Sequence, residues 1–385
     1  MKKNSSLKKA KNEGKGGRNS HPFFKRLLVG ASWAAVALLW LSAASVYVNP
    51  SYFRFAGVIG LAFPFFLAVV IFMQIVMLIF SVHRAWVPLL GLCGCILSIR
   101  DYVPINVPSA PPKGAMKVIS YNVNCFSANT KDETGTNVIC AYVKRQRPDI
   151  LCMQEAHAWP TIYETDVEPV LRQQLAYADT MNFASSTLAC FSRYPIIGKK
   201  RVCDTGSPNG ATDFTLLLAP HDTLHVINCH LESMHLSQDD RSQYHEMVVN
   251  PENSTPKASS RMLVSKISNA SVVRSRQTVI TAAYVERLLK AGKSVILCGD
   301  FNDTPISYTR HRIASTGLTD AYVTTANGIG RSFNRDAIYV RIDNMFCSPD
   351  WKPYDCQVDA SIKESDHYPI ISSFKRKKLW SIVTK

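Results

Sequence analysis

Apolar and polar positions divide the chain into two stretches of different rhythm. Residues 1–20 carry almost no apolar side chain and are rich in Lys, Gly, Ser and Asn, a composition that predicts disorder. Three long apolar runs follow. Leu27–Val48 is uncharged and ends at Asn49-Pro50. Ala56–Phe80 has Gln74 as its only strongly polar side chain. Trp86–Ile99 stops at Arg100-Asp101. About 20 apolar residues suffice to cross a bilayer, so membrane helices are expected at about 27–48, 56–80 and 86–102. The third run is short, and Trp86 and Tyr102 suit interfacial positions at its ends. A cleaved signal peptide is the competing reading of Leu27–Val48. The run is long for a signal core and a second apolar run follows, so an uncleaved anchor is expected.

Beyond a stiff Pro-rich linker over 104–115 the rhythm shortens. Lys117–Asn124, Asp149–Glu155, Leu188–Ile197, Thr212–Ala219, Thr223–Leu231, Ser294–Cys298 and Ile338–Cys347 are short runs that read as strands. Helical spacing appears at Asn137–Arg147, closed by Pro148, at Pro169–Ala178, and at Ser271–Ala291. The last has Val279, Ala282, Val285, Leu288 and Leu289 along one face. Residues 232–268 are polar with little periodicity and read as loop. Another short helix follows Pro305, and a last strand follows the turn Ser365–Pro369. The expected organisation is a basic tail (1–26), a membrane segment (27–103), the linker, one folded domain (116–376) and a short tail (377–385). Strands in direct succession, mixed with helices, predict an α/β (α+β) domain layered around a sheet-on-sheet core.

Charge fixes an orientation. Of the net +15 over 385 residues, +8 lies in residues 1–26, which hold nine Lys/Arg and one Glu. By the positive-inside rule this tail stays in the cytoplasm. Two spans would return the folded domain to the cytoplasm, and three would place it outside. The three-span reading makes the chain a multi-pass protein of the cell (inner) membrane with an extracytoplasmic domain. Eleven Cys include no CxxC pair and no zinc-spaced Cys/His cluster. Cys152, Cys229, Cys298 and Cys347 sit inside apolar runs and read as core residues. No dense Lys/Arg stripe with interleaved aromatics follows the linker, as strong duplex binding would favour.

The candidate chemistry lies at predicted strand ends. Asp300 and Asn302 follow the strand ending in Cys298; residues i and i+2 on extended backbone point the same way. Asn122 with Asn124, Glu155, His230, Asp343 and Asp366-His367 occupy comparable places. Each alone has a plain structural reading: a turn former, an exposed strand end, a satisfied core histidine. Together they are what metal-assisted attack of water on a phosphate ester needs. A hard cation takes one or two carboxylates and otherwise water and substrate oxygens. A base must orient and deprotonate water, and donors must meet charge developing on phosphoryl oxygens.

The wording around these residues, SYNVN, DILCMQE, NCHLES, GDFNDTP, RIDNMFCS and SDHYP, resembles in order the six motif blocks of the endonuclease/exonuclease/phosphatase (DNase I-like) superfamily, over about residues 116–376. The resemblance implies a four-layer αββα sandwich of two mainly antiparallel sheets. It implies a metal site at Asn122 and Glu155, Glu155 as the direct ligand, with Asp366 nearby. It implies Asp300 as the group that activates water, and Asn302, His230 and His367 as phosphate contacts, His367 paired with Asp343. The implied ion is Mg²⁺, with Mn²⁺ as a substitute. Arg276-Gln277 resembles an Arg-x-Gln element of the family and reads as structural support. Asn124 stands where some nuclease relatives carry Asp, and His230 where some abasic-site endonucleases carry Tyr.

The expected function is therefore that of a membrane-anchored phosphoesterase acting on a phosphodiester or phosphomonoester. Nucleic acid, a phospholipid head group and a small phosphate ester all remain open as substrates. The lipid bilayer is a partner through the N-terminal helices, and no obligate protein partner is inferred. The reading from a different class is a catalytically silent, membrane-tethered binding module of the same fold. A complete set of site residues separates the two readings, and Glu155, His230, Asp300, Asn302, Asp343 and His367 are all present.

Overall fold

A computed structural model describes residues 22–157, 162–184, 186–234, 242, 256–335 and 339–377. The chain divides into two compact units. One joins the residues up to Leu41 with Pro64–Cys95; the other joins Ser42–Phe63 with Ile96 onward.

The larger unit is built on two six-stranded sheets. The first has the order β11-β12-β1-β2-β4-β3, from β1 (Met116–Asn122), β2 (Ile150–Gln154), β3 (Tyr177–Asn182), β4 (Thr187–Ser192), β11 (Trp351–Val358) and β12 (Ile370–Arg376). The second has the order β5-β6-β7-β8-β10-β9, from β5 (Ile196–Cys203), β6 (Gly210–Ala219), β7 (Asp222–His230), β8 (Ser294–Asp300), β9 (Thr319–Asp320) and β10 (Asp343–Cys347). Each sheet is antiparallel except for one central parallel pair, β1 with β2 and β7 with β8. A two-residue period assigns the faces. Val118, Ile150, Cys152, Leu224, Val226, Ile296, Cys298 and Met345 meet between the sheets. Their neighbours Ile119, Leu151, Ile227 and Leu297 point outward into two further cores. Both faces of the central strands are buried, which is why they read as short continuous apolar runs.

Helices cover the outer faces and complete four layers. Unit numbering along the chain begins with the apolar helices α1 (Pro22–Ala44), α2 (Ala56–Leu61), α3 (Phe63–Phe80), α4 (Trp86–Gly94) and α5 (Ile96–Tyr102). Then α6 (Val138–Gln146) lays Ile139, Cys140, Tyr142 and Val143 on the first sheet. Asn137 caps α6 by accepting from the amides of Ile139 and Cys140, a cap worth about 1 kcal/mol. α7 (Glu168–Arg172) adds Leu171 to the same core. On the second sheet lies α8 (Pro256–Lys290) with Ala282, Tyr284 and Val285 buried, followed by α9 (Tyr308–Ala314) and α10 (Ala321–Thr325).

Several expectations are corrected. The helix expected over 169–178 ends at Arg172, and Tyr177-Ala178 open the edge strand β3. Its six residues are only partly covered, so no apolar alternation marks it. The single strand expected over 188–197 is two strands in different sheets, β4 ending at Ser192 and β5 starting at Ile196, with Pro195 in the break. The strand expected from Ile338 starts at Asp343. The helix expected from Ser271 begins at Pro256, so part of the stretch read as loop is helical; proline at a helix start loses no hydrogen bond. The remaining loop residues 235–241 and 243–255, the tail 1–20 and residues 378–385 lie outside the described residues. Edge strand β11, which holds Pro353, is an addition; proline is tolerated on a sheet edge.

Among the described residues two helices are long and apolar enough to cross a membrane, Phe23–Tyr47 and Phe63–Phe80. A third span exists if Val82–Gly94 and Ile96–Tyr102, bent by 58° at Cys95, act as one. The second apolar run is broken at Ala62, and the new helix α3 begins at Phe63 with Pro64 in its first turn. Within the smaller unit small residues let helices approach closely. Gly91 faces the side chain of Val36, Trp40 Nε1 donates to the Gly91 carbonyl at 3.2 Å, and the Trp33 and Trp86 rings meet edge-on.

Candidate active site

Strand register brings the polar ends together. Asn122 pairs with Gln154 across the parallel ladder of the first sheet, so Glu155 emerges beside it. His230 pairs with Asp300 across the parallel ladder of the second, and Asp343 lies opposite Asp300 on the antiparallel side. His367 precedes β12, which runs antiparallel to β1, and so enters from the same end of the sandwich. Gly299 makes the second ladder possible: at φ +136° a Cβ there would collide with the Cys229 carbonyl oxygen.

A chain of contacts runs across the gap between the sheets. Asn122 Nδ2 donates to Glu155 Oε1 and to Asp300 Oδ2, each at 3.1 Å. His230 Nε2 lies 3.6 Å from Glu155 Oε1 and 3.8 Å from Asp300 Oδ2. His367 Nε2 lies 3.5 Å from Asp300 Oδ2, and its Nδ1 donates to Asp343 Oδ2 at 2.8 Å. Asp300 Oδ1 accepts from the Asn302 backbone amide at 2.8 Å. Asn302 Nδ2 donates one hydrogen to the Leu231 carbonyl at 2.9 Å, and the amide has a second to offer. Asn302 (φ 51°) and Glu155 (φ 51°) both hold left-handed backbone, as do Asn124, Cys125 and Phe126 in the turn after β1. Strain of this kind gathers where surrounding structure fixes a site.

Environment separates the carboxylates. Asp300 is 1% exposed, and burial raises its pKa against the lowering influence of His367 and His230. Glu155 is 29% exposed; burial pushes its pKa up, but the His230 charge and the Asn122 hydrogen bond outweigh it, and the net direction is down. For His367 burial pulls the pKa down, yet Asp343 and Asp300 together carry it up to about 10. At neutral pH these shifts favour an imidazolium at His367 and a carboxylate at Glu155.

The site residues differ in how they join this network. Asn122, Glu155, His230, Asp300, Asp343 and His367 form one connected group. Asn302 sits beside it. Asp366 is adjacent: its side chain accepts from Ser365 Oγ at 3.4 Å, and among the described residues no hydrogen bond joins it to Asn122 or Glu155. Asn124 Nδ2 donates to Ser127 Oγ, away from the carboxylates. Of the pair Arg276-Gln277, Gln277 is buried, accepting from the Glu232 amide and donating to the Asn209 carbonyl, whereas Arg276 is exposed. The supporting arginine is Arg274, fully buried against Asp303 at 3.1 Å.

Four features had no signal in the sequence. Ser186 Oγ lies 3.0 Å from His230 Nδ1, and Asn209 Nδ2 lies 3.5 Å from His230 Nε2. Ser332 Oγ accepts from the amides of Ile342 and Asp343 and so fixes the start of β10. Beneath the site Gln154 Nε2 donates to Asn228 Oδ1 at 2.7 Å and to Ser120 Oγ at 3.0 Å, an amide lock between the two sheets. These are ordinary polar residues in turns or mid-strand, and only the fold gives them partners.

The donor set fits a hard divalent cation. Glu155 and Asp300 offer carboxylate oxygens, as Mg²⁺ or Mn²⁺ prefers, while the Asn122 side-chain oxygen accepts from the Asn124 amide at 3.1 Å. Asp343 Oδ1 is a buried oxygen with no hydrogen-bond partner among the described residues. Asp300, Asp343 and His367 also bring one ligand atom each within 4.8 Å of one another. The hydrogen bond between His367 Nδ1 and Asp343 Oδ2 already occupies one ring nitrogen.

A family model described as the Endonuclease/Exonuclease/phosphatase family matches residues 119–367. A second model, described as a domain of unknown function, matches residues 25–102. No curated protein matches the chain significantly. Among solved structures, the human Nocturnin catalytic domain is 14% identical over 70% of this chain and 97% of that chain, with a TM-score of 0.47. An AP endonuclease from Archaeoglobus fulgidus is 14% identical over 68% and 99%, with a TM-score of 0.46. The 3′ phosphatase NExo from Neisseria, bound to a product DNA hairpin, is 16% identical over 68% and 100%, with a TM-score of 0.46.

Proposed function

Since the chain belongs to the endonuclease/exonuclease/phosphatase family, whose members hydrolyse phosphoester bonds, we propose that it is a membrane-anchored, divalent-metal-dependent phosphoesterase. The observation that carries this reading is the unbroken chain of contacts Glu155–Asn122–Asp300–His367–Asp343 across the two sheet ends.

Glu155 and Asn122, with Asp366 beside them, would hold the ion. Bound there, the ion supplies positive charge that polarises a phosphoryl oxygen. The chain's own residues do the rest. Asp300 accepts the proton of the attacking water, and its raised pKa brings it closer to the range useful for a base. His367, held by Asp343 with Nε2 facing the gap, donates a hydrogen bond to a phosphoryl oxygen as charge develops. Ser186 fixes the His230 ring so that Nε2 faces the same gap. The second hydrogen of the Asn302 amide meets a phosphoryl oxygen.

The location of the domain follows from the same reading. The segment Ser42–Phe63, which includes the loop after Tyr47, belongs to the compact unit of the catalytic sheets. With the basic tail in the cytoplasm, one crossing by Phe23–Tyr47 puts that loop, and the domain with it, on the other side. Val82–Tyr102 then serves as the returning crossing, which supports three spans and an extracytoplasmic domain. Activity of the full chain in detergent tests the chemistry: a generic phosphodiester is hydrolysed with Mg²⁺, and hydrolysis stops with chelator and in Asp300→Ala. A metal-independent rate, or full activity in Asp300→Ala, refutes it. A reporter fused after Lys385 that works only in the cytoplasm refutes the topology.

A further inference from the structure

Two juxtamembrane segments clasp the stretch that carries Asp300 and Asn302. The first is the loop between the first two apolar helices. The Tyr47 ring meets His311 of α9 edge-on at 4.7 Å, Ser51 Oγ lies 2.8 Å from Ser275 Oγ, and Arg54 donates to Asn269. At Gly60 the loop packs directly on main chain: a Cβ there would lie 2.6 Å from the Ile306 carbonyl oxygen. Ile306 is four residues past Asn302, a chain length of at most about 14 Å. Gly60 is three residues before Phe63, where the apolar helix α3 starts.

The second segment is the end of α5. The Asp101 carboxylate takes both terminal nitrogens of Arg310 of α9, at 2.8 and 3.1 Å. The Asp101 carbonyl accepts from Arg341 at 2.7 Å. Arg310 and Arg341 are buried, and Arg341 lies two residues before Asp343, at most about 7 Å along the chain. The catalytic groups are thus tied at two independent places to residues that adjoin the ends of apolar helices.

A bilayer's headgroup layer extends only about 5–8 Å beyond the hydrocarbon on each side, so lipid phosphates lie close to those helix ends. The loop that touches Ile306 also exposes Tyr52 (91%), Phe53 and Phe55 around Arg54, side chains that settle at a membrane interface. Arg274, Arg310 and Arg341 are turned inward onto Asp303, Asp101, Asp320 and main-chain carbonyls. They are not offered to a polyanion backbone, as nucleic-acid binding would require.

Building on the phosphoesterase reading, we infer that the substrate is a phosphoester carried by a bilayer lipid and reached at the membrane surface. Hydrolysis forms one bond from water oxygen to phosphorus and breaks one bond from phosphorus to an ester oxygen. The water proton passes to Asp300, and the leaving oxygen takes a proton from solvent.

The test uses the full chain in phosphatidylcholine vesicles with Mg²⁺. Four substrates are offered at equal total phosphate: a vesicle-embedded panel of phosphatidylglycerol, phosphatidic acid and sphingomyelin; the same head groups on water-soluble glycerol or short-chain backbones; duplex DNA; and bis(nitrophenyl) phosphate. At least one embedded lipid is expected to be cleaved about a hundredfold faster than its soluble counterpart, the scale of gain that confinement at high effective concentration gives. Equal rates on embedded and soluble head groups, or a preference for DNA, overturn the inference. If none of the four is hydrolysed, the phosphoesterase reading itself fails. Gly60→Leu, which forces the loop off Ile306, is expected to erase at least about ten of that hundredfold while leaving bis(nitrophenyl) phosphate hydrolysis in place. Should that variant not fold, the exposed double change Tyr52→Ser/Phe53→Ser carries the same expectation. An unchanged lipid preference in the variants that fold overturns the role of the loop.

Discussion

The two sheets hold equivalent positions at the site and put them to different use. Each ends a central parallel pair at the same edge of the sandwich: β1 and β2 deliver Asn122 and Glu155, and β7 and β8 deliver His230 and Asp300. The carboxylate of the first sheet is 29% exposed and its pKa falls; that of the second is 1% exposed and its pKa rises. In the proposed mechanism one scaffold position thus serves as an ionised ligand on one side and as a base on the other. Surroundings, more than residue type, assign the roles.

Substitutions on the two sides should therefore fail differently. Asp300→Asn keeps the shape and removes the base, so kcat should fall about 10³–10⁴-fold, the upper range for general-base loss, in single-turnover assays. Added metal should not restore it; recovery at high Mg²⁺ would move Asp300 to the ligand side of the comparison. Asp343→Asn should lower kcat about 100-fold, since the His367 ring loses its orienting carboxylate. It also sharpens the pH behaviour. A pKa raised to about 10 means the His367 proton, and the stability that comes with it, is present below the unfolded value and lost as pH rises through about 10. The need for the imidazolium should then set the alkaline limb of activity, and the Asp343 variant should shift that limb downward; a limb that stays in place would disconnect the pair from turnover.

Glu155→Gln should weaken metal affinity about 10–100-fold, the range seen when a metal's immediate surroundings are altered. Titration with Mg²⁺ should recover most of the rate, and a variant deaf to added metal would erase the contrast with Asp300. Smallest is Ser186→Ala, expected to cost about 1 kcal/mol of transition-state stabilisation, the worth of one hydrogen bond. The loss should appear in kcat with KM unchanged, and Ser186→Thr should restore it.

The strands and their polar ends were legible because both faces of β1, β2, β7 and β8 are buried, so apolar runs stop abruptly at Asn122, Glu155, His230 and Asp300. Half-covered strands such as β3 carry no alternation and were hidden. The change of sheet between Ser192 and Ile196 was hidden too, since apolar residues continue on both sides of Pro195. Arg276 and Arg274 are alike in sequence, and only the phase of α8 decides which one turns inward to Asp303. Ser186, Asn209 and Ser332 are chosen by long-range packing, and a turn serine looks the same whether or not a histidine lies across from it.

The second sheet is one uninterrupted stretch of chain, whereas the first is closed by β12, which slips between β1 and β11 after everything else. His367 arrives with that last strand. During synthesis Asn122, Glu155, His230 and Asp300 therefore all emerge before Asp343 and the final partner, His367, which follows Asp343 by 24 residues. A nascent or prematurely terminated chain lacking the last twenty residues is missing both the histidine and the strand that seals the first sheet. The proposed site thus stays incomplete until His367 and β12 have emerged, long after the apolar helices that precede Met116.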